Sequence, residues 1–149
     1  MPVRRGATAP PPTTTYVETS ALLAALLEQD TAAQHLLRAP GRRITSALTL
    51  AEANRGVVRA RVTGRLSAAQ ERRAIQALRT FAARCDVVGI AAPVLERAGR
   101  PFPIEPIRTL DAIHLATVEF IGDPPQLMTV LTRDTRVRDN ARALGFVTA

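Results

Sequence analysis

The stretch TYVETSALLAALLEQD, residues 15–30, decides how the rest of the chain is read. Tyr16-Val17 has the character of a strand end and Ser20 to Leu27 that of a helix, so Glu18 falls at the junction between them. Open α/β sheets place their sites at such carboxyl ends of strands. A glutamate set between two apolar runs is therefore a candidate for chemistry.

Outward from this stretch, a strand over Tyr16–Glu18 leads into a helix capped by Thr19 or Ser20 and running to about Arg38, where Ala39-Pro40-Gly41 stops it. RRITS (42–46) reads as a second strand, and Leu48 to Arg61 as a helix that Thr63-Gly64 ends. Ser67 caps a further helix reaching about Arg84, with Glu71 in its first turn and Ala74, Ile75, Leu78, Phe81 and Ala82 at helical spacing. DVVGI (86–90) is a compact β-type run, followed by a short helix over 91–99 and a proline-rich loop over 100–109. Leu110 to Phe120 is a helix apolar on most sides, QLMTVLT (126–132) is the clearest strand, 136–145 is a helix stopped by Gly145, and FVT (146–148) is a last short strand. Strands separated by helices make this an α/β chain with a mainly parallel sheet covered on both faces.

At 149 residues, one domain suffices, burying roughly two thirds of the surface the unfolded chain exposes. No apolar run approaches the roughly 20 residues needed to cross a bilayer. The first residues carry two arginines but no apolar segment after them, so they fail as a secretory signal. Residues 1–14 read as a disordered proline- and threonine-rich tail, with a single domain over 15–149. One cysteine, Cys85, excludes an internal disulfide, and His35 and His114 do not supply a zinc-finger spacing, so a reducing cytoplasm fits. The 20 basic residues are all arginine, which excludes a P-loop and Schiff-base chemistry. The same lack of lysine argues against haloacid-dehalogenase-like phosphatases and response-regulator receivers. The net charge of +7 suits phosphate backbones or an acidic protein partner. With one Tyr, four Phe and no Trp, base-stacking sheets are disfavoured, and any nucleic acid contact is arginine to phosphate.

Most of the 13 acids lie in charged surroundings, but four do not. Glu18 ends the first strand, Glu52 sits within SALTLAEAN, Asp111 opens LDAIHLA, and Asp134 follows LMTVLT. An unpaired buried carboxylate costs on the order of 2 kcal/mol or more, so something must offset each. A divalent cation such as Mg²⁺, with its preference for hard oxygen ligands from several elements, would do so. The alternative is that Asp111 and Asp134 cap helices while Glu18 and Glu52 pair with arginines. His114, one turn after Asp111, reads as a hydrogen-bonded packing residue rather than a ligand or base. Cys85 reads as a small buried residue rather than a nucleophile. Asp139 and Arg136 belong to an exposed helix face, Asp139 being a reserve metal ligand.

Together the segments YVETSALL, ITSALTLAEA, RTLDAIHLATVEF and LTRDTRVRDNARALGF resemble the PIN-domain ribonucleases, and among them the VapC toxins of bacterial toxin–antitoxin pairs. The resemblance covers about Tyr16 to Val147. It implies a three-layer α/β/α domain, with a short, mainly parallel central sheet flanked by helices, whose acidic cluster holds Mg²⁺ or Mn²⁺ and hydrolyses RNA. The family's second, third and fourth acids fall on Glu52, Asp111 and Asp134, its hydroxyl after the first acid on Thr19 or Ser20, and a polar helper on Thr132. The first acid departs from the pattern, since the family usually has aspartate where this chain has Glu18. Glutamate keeps both oxygens and moves them by about 1 Å or more, which reads as a working variant because TSALL and the other acids are intact.

On this reading Glu18, Asp111 and Asp134 hold the metal, Glu52 completes the cluster, and Arg55 and Arg108 hold flanking phosphates. A small antitoxin covering the site and a homodimer are implied as partners, and no membrane. The competing function is a PIN-like module that binds RNA or protein without cleaving, its metal lost through Glu18. A flap-endonuclease-like DNA enzyme needs an arch or clamp for which 149 residues leave little room.

Overall fold

The computed structural model describes residues 13–149. The tail expected over residues 1–14 thus lies outside the described residues up to position 12, and its expected end is corrected, because Thr14 already belongs to the first strand. β1 (Thr14–Val17) is followed by α1 (Thr19–Leu27) and α2 (Thr31–Arg38), and β2 (Arg42–Ser46) by α3 (Ala47–Val62) and α4 (Ala68–Ala83). β3 (Asp86–Val88) precedes α5 (Ala92–Ala98) and α6 (Thr109–Ile121), while β4 (Met128–Leu131) precedes α7 (Thr135–Ala143) and β5 (Val147–Thr148). No helix among the described residues is long and apolar enough to cross a membrane.

The strands form one sheet in the order β3-β2-β1-β4-β5, and every neighbouring pair is parallel. Alternation along β1 sends Tyr16 and Val17 to opposite faces. Tyr16 joins Met128 and Val130 in a core covered by α5, α6 and α7, whereas Val17 joins Leu131 in a second core under α1, α3 and α4. These two cores make the three α/β/α layers. The chain first adds β2 and β3 on one side of β1 and then β4 and β5 on the other, so the crevice between the ends of β1 and β4 is where the topology switches direction.

Two local expectations are corrected. Glu18 lies beyond β1 and is itself the N-cap of α1, so Thr19 and Ser20 are helical residues rather than caps. The helix expected to run to Arg38 is two helices, because Gln29 adopts φ 55° and Asp30 starts α2 by accepting the Ala33 N–H at 2.9 Å. At the far end of α6, Gly122 supplies the left-handed residue (φ 77°) that closes the helix, a conformation costly for any side chain with a Cβ.

The break before α2 is pinned by charge. Arg133 grips Asp30 at 2.7 Å and, with the Ala33 N–H, holds its carboxyl down at about 2, against an ordinary 3.8. A depressed pKa means that the carboxylate's contribution is full above the unfolded value of 3.8 and is lost as pH falls through about 2. Asp30→Ala is therefore expected to lower the melting temperature at neutral pH, with its deficit against the parent shrinking below about pH 4. Melting curves of the two proteins across that range check this, and a deficit that grows on acidification would contradict it.

Candidate active site

The strand ends at the β1/β4 crevice carry the expected residues. Glu18 follows β1, its backbone N–H donating to the Leu131 carbonyl at 3.0 Å, and Thr132 and Asp134 follow β4. Glu18 is 4% exposed, yet one carboxylate oxygen satisfies several donors. Oε2 accepts from the Ser20 N–H at 3.1 Å, from the Thr132 hydroxyl at 2.7 Å and from the Ser20 hydroxyl. Each hydroxyl spends its single proton on Glu18 and keeps lone pairs for the turn after β4. Ser20 Oγ accepts the Arg133 N–H at 2.8 Å, and Thr132 Oγ1 accepts the Asp134 N–H at 3.0 Å. Ser20 and Thr132 thus lock the two strand ends together, and Glu18 is paired with hydroxyls rather than with an arginine.

Glu52 reaches the crevice from α3 and is tied down in a similar way. Its Oε1 accepts from the Thr19 hydroxyl at 2.8 Å and lies 2.7 Å from His114 Nε2. Burial alone would raise the Glu52 carboxyl, but the hydrogen bonds from His114 and Thr19 outweigh it and hold the group below its ordinary value. His114 is 1% exposed on α6, and its Nδ1 lies 2.8 Å from the Tyr16 hydroxyl. Burial first, and the Glu18 charge second, push the Tyr16 phenol far up, so it remains a donor. The assignment that satisfies every partner has Tyr16 donating to Nδ1 and Nε2–H donating to Glu52. His114 is the hydrogen-bonded packing residue expected, and it also anchors Glu52. Tyr16 was not singled out from the sequence, although a buried tyrosine needs a partner for its hydroxyl and that signal was available.

Asp111 and Asp134 complete the cluster in company with Arg108. Asp134 is the N-cap of α7, with Oδ1 accepting the Arg136 and Val137 N–H groups at 2.8 and 3.3 Å. Asp111 lies in the first turn of α6 and caps nothing with its side chain. Instead Arg108 Nε and Nη2 donate to its Oδ2 and Oδ1 at 2.7 and 3.3 Å, and the same Nη2 donates to Asp134 Oδ2 at 2.8 Å. The Asp111 hydrogen bonds foremost, then the charges of Asp111, Asp134 and Glu18, raise the Arg108 pKa. Arg108, expected on phosphate, sits on the acids. Arg55 is exposed one turn after Glu52 on α3, and Arg136 and Asp139 are exposed on α7. Cys85 is half-buried, and burial pushes its thiol up to about 11, as suits an inert residue.

A common rule emerges across three acids. Protein donors hold one oxygen of Glu18, Glu52 and Asp134, while Glu18 Oε1 and Glu52 Oε2 accept no hydrogen bond among the described residues and Asp134 Oδ2 meets only Arg108. Four hard carboxylates at the β1/β4 strand ends, with Glu18, Glu52 and Asp134 each anchored through one oxygen and Asp111 held by Arg108 alone, are the donor set that Mg²⁺ or Mn²⁺ takes. As placed, no three His, Cys, Asp or Glu side chains among the described residues enclose a metal position. Arg108 already binds Asp111 and Asp134, while Glu18 and Glu52 are drawn towards their hydroxyl and imidazole donors. A separate groove of about 620 Å³ lies between α1, α2 and α4, lined by Leu22, Leu26, Leu37 and Phe81 with Arg38, Arg43, Arg73 and Arg84. It holds no acid, so it is not where the cluster's chemistry takes place.

Comparison with known proteins agrees with this geometry. The family model described as PIN domain matches residues 15–143. Ribonuclease VapC46 of Mycobacterium tuberculosis is 36% identical over 133 residues, covering 88% of this chain and 92% of that protein. The crystal structure of Mycobacterium tuberculosis VapC20, described as a sarcin-ricin loop cleaving toxin, superposes with a TM-score of 0.64 at 20% identity, over 89% of this chain and 96% of that one. A toxin-antitoxin complex from Klebsiella pneumoniae contains a chain with a TM-score of 0.56 at 21% identity, over 82% of this chain and 88% of its own. With a parallel sheet carrying acids at its switch point, a match to the PIN-domain model over residues 15–143 and 36% identity to a VapC ribonuclease over 133 residues, the chain belongs to the PIN-domain family in its VapC branch.

Proposed function

We infer that this chain is an endoribonuclease toxin of a toxin–antitoxin pair, hydrolysing RNA phosphodiester bonds at Glu18, Glu52, Asp111 and Asp134 with Mg²⁺ or Mn²⁺. The observation that carries the reading is the division of labour within Glu18, Glu52 and Asp134, each with one oxygen anchored by hydroxyl, imidazole or backbone donors and the other outside that anchoring, beside Asp111 at the β1/β4 switch point. Glu18, Asp111 and Asp134 would hold the ion, with Glu52 completing the cluster or orienting a water. When bound, the ion lowers the pKa of the attacking water and neutralises charge developing on the scissile phosphate. The protein's own part is positional. Thr132 and Ser20 fix Glu18 in place, Thr19 and His114 fix Glu52, and the α7 N-terminus fixes Asp134. Exposed Arg55, one turn from Glu52, is placed to meet a flanking phosphate.

The extra methylene of Glu18 is accommodated rather than damaging. Its carboxylate reaches three donors on two chain segments, which is the environment of an acid kept in position. That counts against a decayed, merely binding module. For the antitoxin, the apolar groove with four arginines and no acid suits an acidic amphipathic segment. Leu95, Leu110 and Phe120, about half exposed on α5 and α6, offer apolar surface that pairing two copies would cover.

The test is cleavage of total cellular RNA by the purified protein freed of antitoxin, with Mg²⁺ or Mn²⁺ against EDTA, beside Glu18→Asp. Metal-dependent cuts by both proteins are expected, since aspartate at position 18 keeps the charge and the capping role. Cuts that persist in EDTA would remove the metal from the reading. A parent that is inert while Glu18→Asp cuts would mean that the glutamate had disabled the site.

A further inference from the structure

Among the described residues, Arg108 is the one arginine paired with the acids of the site, and it takes two of them at once. Its fork covers both oxygens of Asp111 and the single Asp134 oxygen that α7 does not use. We propose that Arg108 is a resident counter-cation, holding Asp111 and Asp134 together in the metal-free protein and competing with the divalent ion for the same oxygens. This rests on the metal-dependent reading above.

Three features support the exchange. Arg108 precedes Asp111 by three residues at the start of α6, so the guanidinium is tethered beside its target and returns whenever the site is vacated. Its side chain is 63% exposed, so leaving the acids puts the guanidinium back into water without unpacking a core. Charge also favours it. Two carboxylates facing one crevice repel each other, one guanidinium offsets half of that charge, and a divalent ion offsets all of it. The ion and Arg108 therefore cannot share these oxygens, and the apparent metal affinity is the intrinsic affinity reduced by the fraction of molecules in which Arg108 is docked. Ion entry frees the guanidinium at the mouth of the site, where it can meet a substrate phosphate.

The deciding measurement needs no RNA. Mn²⁺ binding to the EDTA-stripped parent, Arg108→Gln and Asp111→Asn is followed by the electron paramagnetic resonance of free Mn²⁺, with a melting curve of each. Arg108→Gln is expected to bind Mn²⁺ about tenfold more tightly than the parent. Without metal it should melt lower than the parent, and Mn²⁺ should raise its melting temperature by more. Equal or weaker binding by Arg108→Gln, with binding lost in Asp111→Asn, would overturn the competition while leaving the metal site standing. Undiminished binding by Asp111→Asn would overturn the metal reading and the counter-cation with it.

Discussion

Asp111→Asn is expected to lower the rate of RNA cleavage by at least about a hundredfold, the scale on which removing one preorganised charge-stabilising group acts in an active site. Asparagine has the same shape and fits the first turn of α6, so packing against the buried face of that helix is kept. What disappears is one negative charge in a four-acid cluster. The stability change should be modest, since the carboxylate contributes on the order of 0.3–1 kcal/mol at a helix N-terminus and about 0–1 kcal/mol through its pair with the exposed Arg108. That is a few degrees in melting temperature at this chain length. Single-turnover cleavage of a defined RNA, measured with the melting curve, separates the two effects. A loss of less than about threefold would place the chemistry on other residues. Expression in cells gives the same comparison, since the parent should arrest growth and the variant should not.

His114→Ala should be the most destabilising change at the site, costing about 2–5 kcal/mol. The ring is 1% exposed, and its removal leaves a cavity, a buried Tyr16 hydroxyl with its partner gone, and Glu52 short of a donor. Cleavage should fall by about 10- to 100-fold, as when an outer partner of a metal-site group is removed. The contribution of the Tyr16 contact is separable. Tyr16→Phe alone should cost about 1–2 kcal/mol, but much less once His114 is alanine, because the phenol has then already lost its 2.8 Å contact. Denaturant melts of the four proteins give that coupling. An equal cost of Tyr16→Phe in both backgrounds would mean that the 2.8 Å contact does not hold the pair together.

The architecture was largely legible because helix and strand periods alternate cleanly along the chain. The split between α1 and α2 was missed because Glu28 and Gln29 are good helix formers. The real signal was Asp30-Thr31, a cap followed by a first turn, which competes with the continuing helix only when Arg133, a hundred residues away, holds Asp30 in place. The four acids stood out because carboxylates in apolar segments need a reason to be there. Asp134 turned out to serve as a helix cap and as a member of the cluster, so the two readings offered for it were not exclusive. Arg108 was singled out from the 20 arginines for a flanking phosphate, and its pairing with Asp111 and Asp134 was not legible. Where a long side chain points depends on what the fold brings near it, and here that is Asp134 from another strand end. The pairing of Tyr16 with His114 spans 98 positions and exists only because β1 lies under α6.

The central place of β1, between β2 and β4, also sets a timetable. During synthesis β2 can dock early, but β4 and Asp134 emerge more than a hundred residues after Glu18, and long-range parallel pairing of this kind is slow to form. Until then Glu18 lacks the Leu131 carbonyl and the Thr132 hydroxyl that position it. A chain in which β4 has not yet paired therefore carries Glu18, Glu52 and Asp111 without the contacts that position Glu18. The crevice is thus assembled only after β4 docks, and a half-finished copy lacks it.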